Sequence, residues 1–356
     1  MAVEPAVTHT LWYTRCPVPT ASGIAFQRNM FGEMFAGTDY VVRNIKELDK
    51  ASWDTHFNHS LDASFREGGG SPPIWARSNG APTRLLGITF MEEVLGVYVR
   101  ADDPARGITD LAGRRCALPV WPKLMFNFFR FAAEKGFYSA LKVHSMDETD
   151  VKFVDVVESD EPHHIINPDF ASGAPRDDRS YYHGQLLALL QGRVDAIFAK
   201  GGETAQLERE ARGHIRLLYD LATSPTMANR VNNSTPRLLT VSASLLVDHP
   251  EAVVRYVQTL VRAARWGQEH PHEAAHAISA EAGIAAQDIV VCFEPNYPVK
   301  LMPALDGTLL EALAVMKSFL LERGYLNRDF SVDEWLARGP LVEALAREGL
   351  TQSRTV

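Results

Sequence analysis

Short apolar runs alternate with segments of helical period along most of the chain. Leu11, Trp12 and Tyr13 form the first run. The pattern predicts a strand there that yields to a stiff turn at Cys16 and Pro17, because proline has no N–H to give a ladder. Apolar Ile24, Phe26 and Met30 predict a helix over 22–35. Strands are predicted over 40–45, 83–90, 94–99 and 151–156, and again over 194–198 and 239–242. A helix is predicted over 123–134, its stripe of Leu124, Met125, Phe128, Phe129 and Phe131 reading as core packing. Further helices are predicted over 186–191, from His249-Pro250-Glu251 through Trp266, over 308–323, and over 332–335 and 340–350. Strands alternating with helices imply mixed or parallel sheets covered on both faces. The crevice between two such units is then the expected ligand site.

Three stretches interrupt this alternation. Gly68-Gly69-Gly70 precedes a helix expected to begin near Pro73. Glycines there let backbone N–H groups turn toward an anion, although a plain flexible turn uses the same residues. No GxGxxG follows a strand and no Walker pattern occurs, so a nucleotide is not implied. Residues 158–180 are polar and proline-containing, and read as a long loop of the kind that serves as a lid. His163-His164 lies inside it, without a cysteine or carboxylate at ligand spacing, so no metal is expected.

The length of 356 residues suggests two domains, and 46% hydrophobic with 22% charged residues is ordinary for a globular protein. A net charge of -8 argues against a nucleic-acid partner, which needs a basic face. The cysteines Cys16, Cys116 and Cys292 are odd in number and far apart, which argues against a disulfide framework and a structural zinc site. The first residues carry neither a basic nor an apolar leader region, and no run approaches the roughly 18 apolar residues of a membrane span. The expectation is a cytoplasmic protein with reduced thiols and no membrane association.

Cys16 is the candidate for chemistry. It stands where a strand gives way to a loop, the position from which side chains in α/β proteins reach a ligand crevice. Arg15 is adjacent, and a nearby cation favours the thiolate. The alternative is an inert buried cysteine. Cys116 begins a predicted strand and Cys292 ends the apolar run Ile289-Val290-Val291, so both read as core.

The segments Asp110-Leu111-Ala112-Gly113-Arg114-Arg115, Gly192-Arg193-Val194-Asp195-Ala196 and His249-Pro250-Glu251 resemble type II periplasmic-binding-protein folds of the sulfonate, nitrate and taurine uptake class. Cys16-Pro17-Val18-Pro19 with Tyr13 before it, the pair His56-Phe57, and Arg66 leading into Gly68-Gly69 and Pro72-Pro73 resemble the 2'-hydroxybiphenyl-2-sulfinate desulfinases of dibenzothiophene desulfurisation. Thr83-Arg84-Leu85-Leu86-Gly87-Ile88-Thr89, Val241-Ser242, the Trp266 helix and Leu301-Met302-Pro303 extend the likeness over nearly the whole chain. The resemblance implies an α/β fold of two lobes. One lobe comprises 1–98 plus 239–356 and the other is an insertion of 99–238, with crossings near Val99 and Leu239. It implies Cys16, His56 and Arg66 as catalytic residues, and Arg66, Gly69, Gly68, Trp121 and Phe57 as substrate-binding residues. It also implies no cofactor, no metal, a small organic sulfinate as the only partner, and a monomer.

The residue types suit that chemistry. A guanidinium is always charged and meets a two-oxygen anion bidentately. Gly69 can add a backbone N–H. The thiol of Cys16 could protonate the carbon that loses sulfur, or as thiolate attack the sulfur, with His56 orienting it. The residues favour neither route. Two other functions fit the same anion-holding crevice: a solute-binding protein for a sulfonate or carboxylate, and an aromatic decarboxylase.

Overall fold

The computed structural model describes residues 9–14, 16–158 and 179–351. Among the described residues, ten strands form two groups. In chain order they are β1 (His9–Thr14), β2 (Tyr40–Asn44), β3 (Ser64–Gly69), β4 (Thr83–Thr89), β5 (Leu95–Arg100), β6 (Arg115–Val120), β7 (Lys152–Val157), β8 (Ile197–Lys200), β9 (Ile215–Asp220) and β10 (Arg237–Ser242). The first sheet has the order β2-β1-β3-β10-β4. β1 runs parallel to both neighbours, with Trp12 opposite Ser64 and Arg43, while β10 is antiparallel to β3 and β4. Every residue of β3 is buried, as an interior strand covered on both faces requires.

The second group holds β8-β5-β9 and the parallel pair β6-β7. A parallel bridge between Cys116 and Ala196 joins β6 to the strand group beside it, and the Ala117 N–H donates to the Ala196 carbonyl at 3.0 Å. The two sheets thus form two lobes. The chain leaves the first sheet after Thr89 and enters the second at Leu95, so the outward crossing is residues 90–94. The return lies between β9 and β10 and ends at Arg237. The sequence placed these crossings at Val99 and Leu239. The apolar run 94–99 reads as a strand but does not say which sheet it joins; its ladders to β8 and β9 place it in the second.

Two predicted helices are shifted. The segment 22–35 divides into α1 (Ala21–Gln27) and α2 (Met30–Met34), separated by Asn29 in the left-handed region at φ 56. Asparagine tolerates that region, and helices stop there. The helix expected over 123–134 begins later: α5 spans Phe128–Val143, its N-terminus capped by the Asn127 side chain, which accepts from the Arg130 N–H at 3.4 Å. Between them in the chain lie α3 (Thr55–Asn58) and α4 (Ser71–Ser78). Arg15 and residues 159–178, with His163 and His164, fall outside the described residues. Among the described residues no helix is long and apolar enough to cross a membrane.

The C-terminal helices close the first lobe. Trp335 is fully buried, its indole N–H donating to Thr83 Oγ1 of β4 at 3.1 Å. Trp335→Ala removes that bond and leaves a ring-sized cavity. It is expected to lower unfolding stability by about 3–5 kcal/mol in a denaturant titration. A loss below about 1 kcal/mol would mean that this helix does not clamp the sheet.

Candidate functional site

β1 ends at Thr14, and the chain turns at Cys16-Pro17 into α1, whose N-cap Thr20 accepts from the Gly23 N–H at 3.0 Å. The turn carries the Cys16 thiol to the end of the interior strand β3. A Cβ placed on Gly68 would lie 2.3 Å from Cys16 Sγ and 2.6 Å from its Cβ, so the thiol occupies the space that glycine leaves open. Gly68→Ala is therefore expected to push the thiol out of place. If the thiol is the reacting group, turnover should fall by roughly tenfold or more, and because the Cys16 Cβ must move as well, stability should fall by about 1–3 kcal/mol. Wild-type turnover in this variant would show that the thiol's position is not constrained.

Cys16, His56, Phe57, Arg66 and Gly69 line a single cavity between the two lobes. Its empty volume is about 660 Å³, counting its open mouth. Arg66 is 2% exposed. Its Nε donates to the His56 carbonyl at 2.9 Å and its Nη1 to the Gly69 carbonyl at 2.9 Å. These two bonds hold the guanidinium plane and leave its other N–H groups for a ligand. Among the described residues no carboxylate pairs with it. Burial draws its pKa below the usual arginine value, and the neighbouring Cys16 opposes that shift. A buried cation of this kind calls for an anion.

His56 and Phe57 come from α3, their rings meeting edge to face at 5.1 Å. His59, one turn on, is also buried. Its Nδ1 faces the Phe57 carbonyl and its Nε2 the Thr240 hydroxyl, each at 3.2 Å. Burial, with Arg66 adding to it, pushes the His59 pKa down to about 3, so this ring adds no positive charge near neutral pH.

Aromatic rings supply the apolar wall: Phe57 from the first lobe, Phe128 and Phe129 from the start of α5, Tyr181 and Tyr182 beyond, and Phe293. Phe57 and Phe128 stack at 6.0 Å and 22°. Trp121, expected as a substrate wall, stands one layer back. It stacks on Phe129 at 5.3 Å and does not line the cavity. Gly68 likewise contributes through the thiol and not through the cavity surface.

Several lining residues were not singled out from the sequence: Glu93 in the outward crossing, Lys200 and Gly201 at the end of β8, and Asn233 and Ser234 before β10. The Asn233 carbonyl accepts from the Gly70 N–H at 2.6 Å, and its side-chain oxygen accepts from the Ser71 hydroxyl. The available signals were the Lys-Gly-Gly after an apolar strand and the polar Asn-Asn-Ser before another, both at strand ends where α/β proteins bind ligands. No group of three or more histidine, cysteine or carboxylate side chains among the described residues is placed to hold a metal.

No family model matches the chain. It is 26% identical over 367 residues to 2'-hydroxybiphenyl-2-sulfinate desulfinase of Rhodococcus erythropolis, covering 97% of this chain and 96% of that one. The structure of a mutant of the desulfurization enzyme DszB in complex with biphenyl-2-sulfinic acid superposes with a TM-score of 0.72 at 23% identity, over 95% of this chain and 99% of that one. The periplasmic aliphatic sulphonate binding protein SsuA from Escherichia coli superposes with a TM-score of 0.63 at 12% identity, over 93% and 92% of the two chains. The two-lobed periplasmic-binding-protein-like fold expected from the sequence is the fold of this chain.

Proposed function

We propose that this chain is a desulfinase that cleaves the C–S bond of an aryl sulfinate and releases sulfite. The observation that carries the reading is the buried Arg66, unmatched by a carboxylate, beside a thiol in a cavity walled by aromatic rings. A sulfinate is a two-oxygen anion attached to an apolar ring, and each part of it meets a matching part of this cavity. The relative matched over 96% of its own length acts on such a compound by its name.

Arg66 holds the sulfinate oxygens, Gly69 lies beside it, and Phe57 with the α5 phenylalanines takes the ring. Trp121 supports Phe129 from behind. Cys16 acts on the reacting atoms, with Gly68 making its space and His56 on the same wall to orient or deprotonate it. In one route the thiol gives its proton to the ring carbon, the C–S electron pair stays on that carbon, and sulfur dioxide leaves; water then adds to give hydrogen sulfite, and a proton returns to the thiolate. In the other the thiolate attacks sulfur, the carbon leaves with the C–S pair and takes a proton, and hydroxide from water displaces the thiolate from the sulfur. Intact-mass measurement after rapid quench separates them, because only the second leaves sulfur dioxide covalently on Cys16.

The test of the function is sulfite release from biphenyl-2-sulfinate by the purified chain. Stoichiometric sulfite with the matching arene supports the reading. Tight binding without sulfite would favour a second reading, a solute-binding protein, to which the likeness to SsuA points.

A further inference from the structure

β3 ends in two glycines, and each makes room for a different neighbour. Gly68 accommodates the Cys16 thiol. A Cβ on Gly69 would lie 2.9 Å from Asn233 Nδ2 and 3.1 Å from the Asn233 carbonyl oxygen. Asn233 belongs to the return crossing, and its amide reaches the end of β3 because residue 69 has no side chain. Three bonds fix it there. Its N–H donates to Asn232 Oδ1 at 2.8 Å, its carbonyl accepts from the Gly70 N–H at 2.6 Å, and its Oδ1 accepts from the Ser71 hydroxyl. Ser71 is fully buried, and its hydroxyl makes no other hydrogen bond among the described residues. Turning the amide over would leave that hydroxyl proton without an acceptor, so Oδ1 faces Ser71 and Nδ2 faces away.

Asn233 is 6% exposed and lines the cavity beside Arg66 and Gly69. Its Nδ2 makes no hydrogen bond among the described residues, yet it is not sealed off from the cavity. Arg66 Nη2 is in the same state. Both side chains are held at Gly69, Arg66 by its bond to the Gly69 carbonyl and Asn233 by its packing over the missing Cβ. Two open donors, one charged and one neutral, therefore flank this glycine. A two-oxygen anion offers about four lone-pair directions, and one guanidinium edge takes two of them. Resting on the reading that the cavity takes an aryl sulfinate, we infer that Asn233 Nδ2 donates to a sulfinate oxygen and completes the anion site with Arg66, with Ser71 as the positioning residue that aims it.

The experiment measures Kd for biphenyl-2-sulfinate and for biphenyl, which has the same rings and no oxygens, with Asn233 intact, in Asn233→Ala and in Asn233→Asp. Kd is read on chains that also carry Cys16→Ser, so that ligand is not consumed, and sulfite release is read on the wild-type chain. Asn233→Ala removes one hydrogen bond to a charged group and should weaken the sulfinate by roughly tenfold or more. Asn233→Asp still accepts from Ser71 but turns a like charge toward the anion and competes for Arg66, so its loss should reach roughly a hundredfold. Biphenyl should bind every chain alike, within about threefold. A sulfinate Kd unchanged by Asn233→Asp, or an equal loss for both ligands, overturns the assignment, while sulfite from the wild-type chain would leave the desulfinase reading standing. A loss confined to the sulfinate, without sulfite from the wild-type chain, keeps Asn233 in the anion site and removes the desulfinase. If Asn233→Asp does not fold, Asn233→Ala decides by the same comparison of the two ligands.

Discussion

Cys16→Ser is expected to give a folded protein that still binds an aryl sulfinate and releases sulfite slower than wild type by roughly three orders of magnitude or more. Serine is nearly isosteric, and the site is bounded on the Gly68 side by backbone, so the smaller oxygen enters without a clash. Its hydroxyl is far less acidic and less nucleophilic than a thiol, so it supplies neither the proton nor the attacking atom in either route. Arg66 keeps its bonds to the His56 and Gly69 carbonyls, so the anion site is unchanged.

The other two cysteines serve as controls. Cys116 is fully buried on β6, and burial pushes its thiol up to about 12. Cys292 is also buried and its thiol raised, with the Thr204 hydroxyl 3.5 Å from its sulfur. Serine at Cys116 places a hydroxyl in an apolar core at a cost of about 1–3 kcal/mol, while serine at Cys292 has the Thr204 hydroxyl within reach. Neither should change turnover per folded molecule. Sulfite release by Cys16→Ser near the wild-type rate would take the thiol out of the mechanism.

What was legible in the sequence follows from how locally each feature is specified. β1 and β4 carry the apolar runs Leu11-Trp12-Tyr13 and Leu85-Leu86-Gly87-Ile88 between polar residues, and such runs declare themselves. Cys16, His56 and Arg66 reach one wall from β1, α3 and β3, which adjoin in the first lobe. The opposite wall is not legible in this way, because it is made by residues far apart in sequence that meet only when the lobes pack. In α5 the stripe of phenylalanines reads as core, and Phe131 is core, yet Phe128 and Phe129 face the cavity. Periodicity identifies a buried face without saying whether another helix or a ligand covers it. Trp121, which the resemblance places against the substrate, stands behind Phe129. The break at Asn29 was hidden because the apolar positions on either side keep a helical spacing across it.

Arg66 carries the second large expected effect, and it is best measured on the Cys16→Ser background, where ligand persists and Kd is read without turnover. Arg66→Met retains much of the side-chain volume but removes the charge. The sulfinate would then be desolvated against an apolar wall, and its affinity should fall by about 2–5 kcal/mol. The same change strips donors from the His56 and Gly69 carbonyls, so stability should fall as well, by about 1–3 kcal/mol for each carbonyl that water cannot reach. Arg66→Lys separates the two effects. An ammonium keeps the charge but cannot bond both carbonyls and still present a planar fork to two oxygens. It should therefore recover part of the lost affinity and stay weaker than arginine by roughly tenfold. The expected order of Kd is arginine tightest, lysine intermediate and methionine weakest, with folding confirmed for each variant. A Kd for Arg66→Met equal to that of the parent would place the anion elsewhere.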